Sequence, residues 1–161
     1  TLRDLLTGSL PVGWITDINY VFIILLALPL VYFFRRQILR LRKTMFLFDS
    51  IGLGLFTVLG VQKTLDLGLS PLICILMGAI SAVFGGVLRD ILSNEVPLIF
   101  RKEIYATACL LGGIIYYFMS RIDMPIYIAQ SFSILVVIVI RILAVRNKWS
   151  LNFIKNDTPS R

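Results

Sequence analysis

An all-α, polytopic membrane helix bundle is the fold this sequence predicts, and three observations predict it. Of its 161 residues 58% are hydrophobic and 16% charged, with a mean hydropathy of +0.88, far outside the range of soluble domains. The apolar residues gather into five runs near the roughly 20 helical residues that cross a hydrocarbon core of about 30 Å. None of the runs alternates polar with apolar residues as barrel strands do, which leaves the helix as the spanning element. No linker or low-complexity tract divides the chain, so a single membrane domain is expected.

The first run, Ile18–Phe34, is followed by Arg35, Arg36, Arg40, Arg42 and Lys43. The second, Met45–Val61, carries Gly52, Gly54 and Gly60, small residues that let helices approach closely. Asp49 lies one turn inside one end of this helix and Lys63 at the other; each is either a snorkelling interface residue or a charge at a pore mouth. The third, Pro71–Leu88, runs into paired glycines. Ile104–Met119, the fourth, has Ala108, Gly112 and Gly113 for close packing. The fifth is Pro125–Ile140, and the tail after it holds Arg141, Arg146, Lys148, Lys155 and Arg161.

Counting Arg101 and Lys102 after the third run, alternate connections hold five, two and five positive charges, and the opposite side only Lys63 and Arg121. The positive-inside rule then places the basic connections and the C-terminus in the cytoplasm. The RRQILRLRK stretch reads as a topology signal beside anionic headgroups, not a nucleic-acid site, because nothing aromatic interleaves it.

Histidine is absent, Cys74 and Cys109 fall inside spans as small packing residues, and no acidic or thiol cluster has metal-ligand spacing. Phosphate-loop and nucleophile motifs are missing as well. Neither an enzyme nor a bound cofactor or metal is expected.

The stretch GGVLRDILSNEVP, Gly85–Pro97, explains more of the design. Shifting the chain by 86 positions lays Arg3, Asp4, Leu6 and Pro11 on Arg89, Asp90, Leu92 and Pro97, with Leu5 on Ile91, Thr7 on Ser93 and Trp14 on Phe100. This is an internal duplication. Three spans separate equivalent points, and an odd number inverts the second copy. The second copy has two spans before its motif is complete, whereas the first begins on the motif. A parent protein of seven spans with an outside N-terminus is therefore expected. The organisation is a remainder of the first repeat over 1–34, a second three-helix repeat over 44–119, a final helix over 125–145 and a cytoplasmic tail over 146–161.

Gly85 and Gly86 each lower helix propensity by about 1 kcal/mol and read as a helix break beside a polar cavity. Equally, they allow close packing in the Ser81-xxx-Gly85 and Ala82-xxx-Gly86 pattern. Arg89 and Asp90, repeated as Arg3 and Asp4, either face a wet pathway or form an interhelix clamp, since a charge in the membrane is costly unless paired or hydrated.

The motifs Phe48-Asp49-Ser50-Ile51-Gly52, Gly60-Val61-Gln62-Lys63-Thr64, Gly68-Leu69-Ser70-Pro71, Gly85–Pro97 and Arg101-Lys102-Glu103-Ile104-Tyr105-Ala106 resemble the second repeat of the bacterial branch of the trimeric intracellular cation (TRIC) channel family. Thr1–Pro11 resembles the end of that family's second helix. The same bacterial proteins are commonly labelled glycine transporters. The resemblance covers nearly the whole chain. It implies inverted three-helix repeats plus a final helix, a homotrimer in the bacterial inner membrane, and in each subunit one pore between glycine-broken helices. Such pores conduct potassium and, less selectively, sodium. The second broken helix maps to Pro71–Leu92 with its break at Gly85-Gly86, and the first to Thr1–Gly8. One departure is Phe84, where a third small residue is usual; it either narrows the passage or faces lipid.

A channel and a transporter of glycine or another small neutral solute both need such breaks. No coordinating set stands out beyond Arg89 and Asp90, which favours the channel.

Overall fold

The computed structural model describes residues 2–12, 15, 17–40, 42–101, 104–122 and 124–147. Among them are seven helices and no strand: α1 (Leu2–Leu6), α2 (Ile18–Arg40), α3 (Arg42–Asp66), α4 (Pro71–Leu92), α5 (Leu98–Arg101), α6 (Ile104–Met119) and α7 (Ile126–Arg146). Trp14, Lys102, Glu103 and the expected tail from Lys148 onward lie outside the described residues.

Each of the five apolar runs is a helix, and four outlast their apolar stretch. Met45–Asp66, Pro71–Leu92 and Ile126–Arg146 are long and apolar enough to cross a membrane, whereas Ile18–Leu30 and Ile104–Met119 are shorter apolar segments. α2 continues through Arg35, Arg36 and Arg40, so the expected basic loop is largely helical. Nothing in Gln37-Ile38-Leu39-Arg40 opposes the helix, and a backbone leaving hydrocarbon keeps its internal hydrogen bonds until a breaker ends them.

Those breakers are explicit. α3 ends where Gly68 adopts φ +73°, donating its N–H to Leu65 O, while Leu69 N–H reaches back to Thr64 O. This six-to-one and five-to-two pair satisfies the last carbonyls of the helix, and glycine takes the left-handed position without a Cβ penalty. Pro71, two residues later, starts α4 where no intrahelical donor is missed.

Helices α3, α4, α6 and α7 pack together, with α3 touching the other three and α1 lying against α4. In lipid such contacts depend on close approach rather than on hydrophobic burial. Gly60 meets Gly78 so tightly that a Cβ on Gly60 would sit 2.7 Å from the Gly78 Cα, and a Cβ on Gly112 would meet Val137 at 2.2 Å. The packing expected of these small residues is present, except at Gly52, which faces open space. Antiparallel α3 and α7 are joined at both ends, by Gln130 Nε2 donating to Gln62 Oε1 at 2.8 Å and by Arg141 facing Asp49. α2 stands apart, with every described side chain from Ile18 to Leu30 exposed.

Candidate functional site: a polar cavity and a charge cluster

The two copies of the LRD motif fold alike. Thr7 N–H bonds to Arg3 O at 2.9 Å and Ser93 N–H to Arg89 O at 3.0 Å; Ser9 N–H bonds to Asp4 O and Glu95 N–H to Asp90 O, both at 2.9 Å. Gly8 (φ +68°) and its counterpart Asn94 (φ +55°) both take the left-handed C′ position, which asparagine tolerates better than most residues. Arg3 Nε and Arg89 Nε each donate to the following aspartate's Oδ1 at 3.0 Å. A second bond in each pair runs from Nη2 to the same oxygen.

With its remaining nitrogen each arginine reaches α3. Arg3 Nη1 donates to Leu59 O at 3.3 Å and Arg89 Nη1 to Asp49 Oδ1 at 2.5 Å. Ten residues separate those targets, or about 15 Å of helix. The motif therefore grips α3 at two levels.

At the Arg3 level lies a cavity of about 800 Å³. Arg3, Asp4, Gln62, Lys63, Asp66 and Ser81 give it polar walls, and Phe84 and Gly85 complete the α4 side. Lys63 is exposed there and Ser81 Oγ is buried without a hydrogen-bond partner. Phe84 thus faces the cavity.

At the Arg89 level the helices are joined by a charge cluster. Asp49 Oδ1 accepts from Arg89 and, at 3.4 Å, from Tyr105 Oη, while Arg141 Nη2 stands 3.8 Å from Asp49 Oδ2. Asp90 Oδ2 accepts from Leu98 N–H at 2.8 Å and so caps α5. Arg141 is 1% exposed. Its guanidinium lies 4.6 Å from the Tyr105 ring centroid and 5.2 Å from that of Phe46, a cation–π arrangement.

Of the paired glycines, Gly85 faces open space, whereas a Cβ on Gly86 would lie 1.9 Å from Tyr105 Oη. The expected break is absent, since α4 is helical from Pro71 to Leu92 without interruption. The packing of α4 against α3 and α6 outweighs the propensity cost of two glycines, about 1 kcal/mol each. Gly86 serves close packing, and Gly85 lines the cavity.

Residues 46–121 match the family described as glycine transporter. The inner membrane protein YadS of Escherichia coli K12 is 38% identical over 94% of this chain and 73% of its own. A Deinococcus radiodurans membrane protein is 35% identical over 92% of this chain and 69% of its own. A solved TRIC channel orthologue from Rhodobacter sphaeroides superposes with a TM-score of 0.84, at 33% identity, over 92% of this chain and 77% of that one. A chain solved to explain conductance through TRIC cation channels superposes with a TM-score of 0.79, at 37% identity, over 93% of this chain and 74% of that one. This chain belongs to the TRIC channel family.

Membership in the TRIC family agrees with the sequence resemblance and with a multi-pass helical membrane protein built on inverted repeats. The structure divides the sequence-predicted residues of this TRIC-family chain between its two levels. Arg3, Asp4, Lys63 and Gly85 gather at the cavity, and Asp49, Gly86, Arg89 and Asp90 at the cluster. Asp49 is no snorkelling residue: its side chain is 9% exposed and points inward.

Sequence reasoning missed Arg141, Tyr105, Gln62, Asp66 and Ser81 as site residues. Arg141 falls within the final helix expected over 125–145 but was counted only among the basic charges that follow the last apolar run, not as a buried residue. In fact α7 runs on to Arg146, and Arg141 continues the buried stripe Ala129, Ser133, Val137 at a spacing of four. That small-residue periodicity was the available signal.

Proposed function

We propose that this protein is a monovalent cation channel of the bacterial inner membrane, carrying potassium foremost and sodium less selectively, with one pathway in each subunit of a homotrimer. The observation that carries the reading is the cleft of about 800 Å³ with charged walls between the apolar helices α3 and α4 and the short α1. Arg3, Asp4, Lys63 and Asp66 at such a site are tolerable when water reaches them, and mixed charges bind an ion weakly enough to let it leave. The relatives solved as cation channels support the same reading.

Along α4 the pathway passes Ser81 and Gly85 and then meets Gly86, Tyr105 and the Asp49–Arg89 pair, which joins α4 to α3. That pair is the closed contact, and parting it connects the cavity to the cytoplasmic side. Lipid surrounds the bundle, and no nucleic acid or cofactor takes part.

Single-channel recording of the intact protein in planar bilayers is expected to give unitary potassium currents, with smaller sodium currents. Labelled-glycine uptake into proteoliposomes without any unitary current would overturn the channel in favour of a transporter.

The basic connections and the C-terminus face the cytoplasm in this reading, by charge alone. A cysteine placed between Arg35 and Lys43 should resist a membrane-impermeant thiol reagent in intact cells, and one beside Arg121 should react. The reverse pattern overturns the orientation.

A further inference from the structure

Asp49 has two arginines within reach and is bonded to one of them. Its Oδ1 accepts from Arg89, while Oδ2 is buried with no hydrogen-bond partner although Arg141 Nη2 is only 3.8 Å away. Arg141 Nε is likewise buried without a partner. An acceptor and a donor group left unmade inside a bundle are unfavourable, and a modest turn of the carboxylate toward Arg141 would let Oδ2 accept from Nη2. Phe46 and Tyr105 both pack their rings against the guanidinium, which is 1% exposed, so the carboxylate is the part that moves.

Release does not strand Arg89. Its side chain is 34% exposed and keeps Asp90 Oδ1 at 2.8 Å and 3.0 Å. A carboxylate with two alternative cations, one of which keeps a second partner, is a two-state element.

We propose that Arg141 is a competing partner for Asp49, placed to draw the carboxylate off Arg89 and so part α3 from α4; this rests on the closed-contact reading of the Asp49–Arg89 pair. Arg141 acts through Asp49 and is a positioning residue. The sign follows from charge. Arg141 shares the field of one carboxylate with Arg89 and repels Arg89, so it weakens the pair that closes the pathway. Neutralising Arg141 leaves Asp49 to Arg89 alone and tightens the closed contact.

The test is open probability in recordings of the intact protein. Arg141→Gln should lower it by roughly tenfold, and Arg141→Lys, which keeps the charge, should restore most of the wild-type value. Asp49→Asn should raise open probability, and adding Arg141→Gln to Asp49→Asn should change nothing further, since coupled residues are not additive. A residue that merely fills space would instead give leak or loss of assembled trimer without rescue by lysine. If Arg141→Gln does not assemble, the double variant, in which both charges are gone, and Arg141→Lys carry the decision. An Asp49→Asn channel with unaltered open probability overturns the closed-contact reading itself. Raised opening in Asp49→Asn beside unchanged or raised opening in Arg141→Gln overturns the competition alone.

Discussion

Replacing Asp49 by alanine is expected to destabilise the protein by about 3–5 kcal/mol, the usual cost of breaking a buried ion pair from one side. Arg141, 1% exposed, has no other carboxylate among its described ion pairs, and the aromatic rings on its flanks cannot neutralise it. Asp90→Asn should cost less. Arg89 would still hold Asp49, and its exposure lets water take the remaining donors. The amide can also go on accepting from Leu98 N–H, which Asp90 Oδ2 now satisfies. The pair Asp49→Ala with Arg141→Met should recover a large part of the loss, since apolar residues of similar volume often replace a buried ion pair without penalty. Thermal denaturation in detergent measures all three variants. An Asp49→Ala protein that melts like wild type, or a double variant no better than the single, would show that Arg141 is not neutralised through Asp49.

What the sequence disclosed depended on whether a residue's meaning was local. Apolar runs, the LRD repeat and the charge asymmetry are patterns along the chain, so the helices, the inverted duplication and the list Arg3, Asp4, Asp49, Lys63, Gly85, Gly86, Arg89 and Asp90 could be read directly. Their division between a cavity and a charge cluster could not. It depends on which side of α4 each residue faces relative to α3 and α6, and Gly85 and Gly86, adjacent in sequence, face differently. The helix break failed as an expectation because propensity is a weak local preference that the packing of α4 against α3 and α6 overrides. Arg141 was counted with the basic charges of the tail because it follows the last apolar run; the helix expected over 125–145 contains it, and its burial emerges only from the packing of α7 against α3 and α6. Tyr105 had no local signal. Its importance comes from the hole that Gly86 leaves for its hydroxyl, a contact between α4 and α6.

The adjacent glycines should respond to the same substitution in opposite directions. Gly86→Ala places a methyl 1.9 Å from Tyr105 Oη and 3.0 Å from Cζ, distances at which the ring must move. Tyr105 is 1% exposed and stacked on the Arg141 guanidinium, so the ring has nowhere to go without disturbing Asp49 and Arg141. Overpacking of this kind costs about 1–3 kcal/mol, set against a gain of about 1 kcal/mol in helix propensity, and the net is expected to be a loss of stability. At Gly85 a Cβ meets nothing within 4 Å. Gly85→Ala should keep the propensity gain and melt at or above the wild-type temperature, while its methyl enters the cavity beside Ser81 and Phe84 and reduces unit conductance. Melting curves in detergent, paired with unit conductance from single-channel records, separate the two residues. Equal destabilisation by both substitutions would mean that the glycines act together as a flexible hinge, and a stable Gly86→Ala protein would remove the Tyr105 contact as the reason for a glycine there.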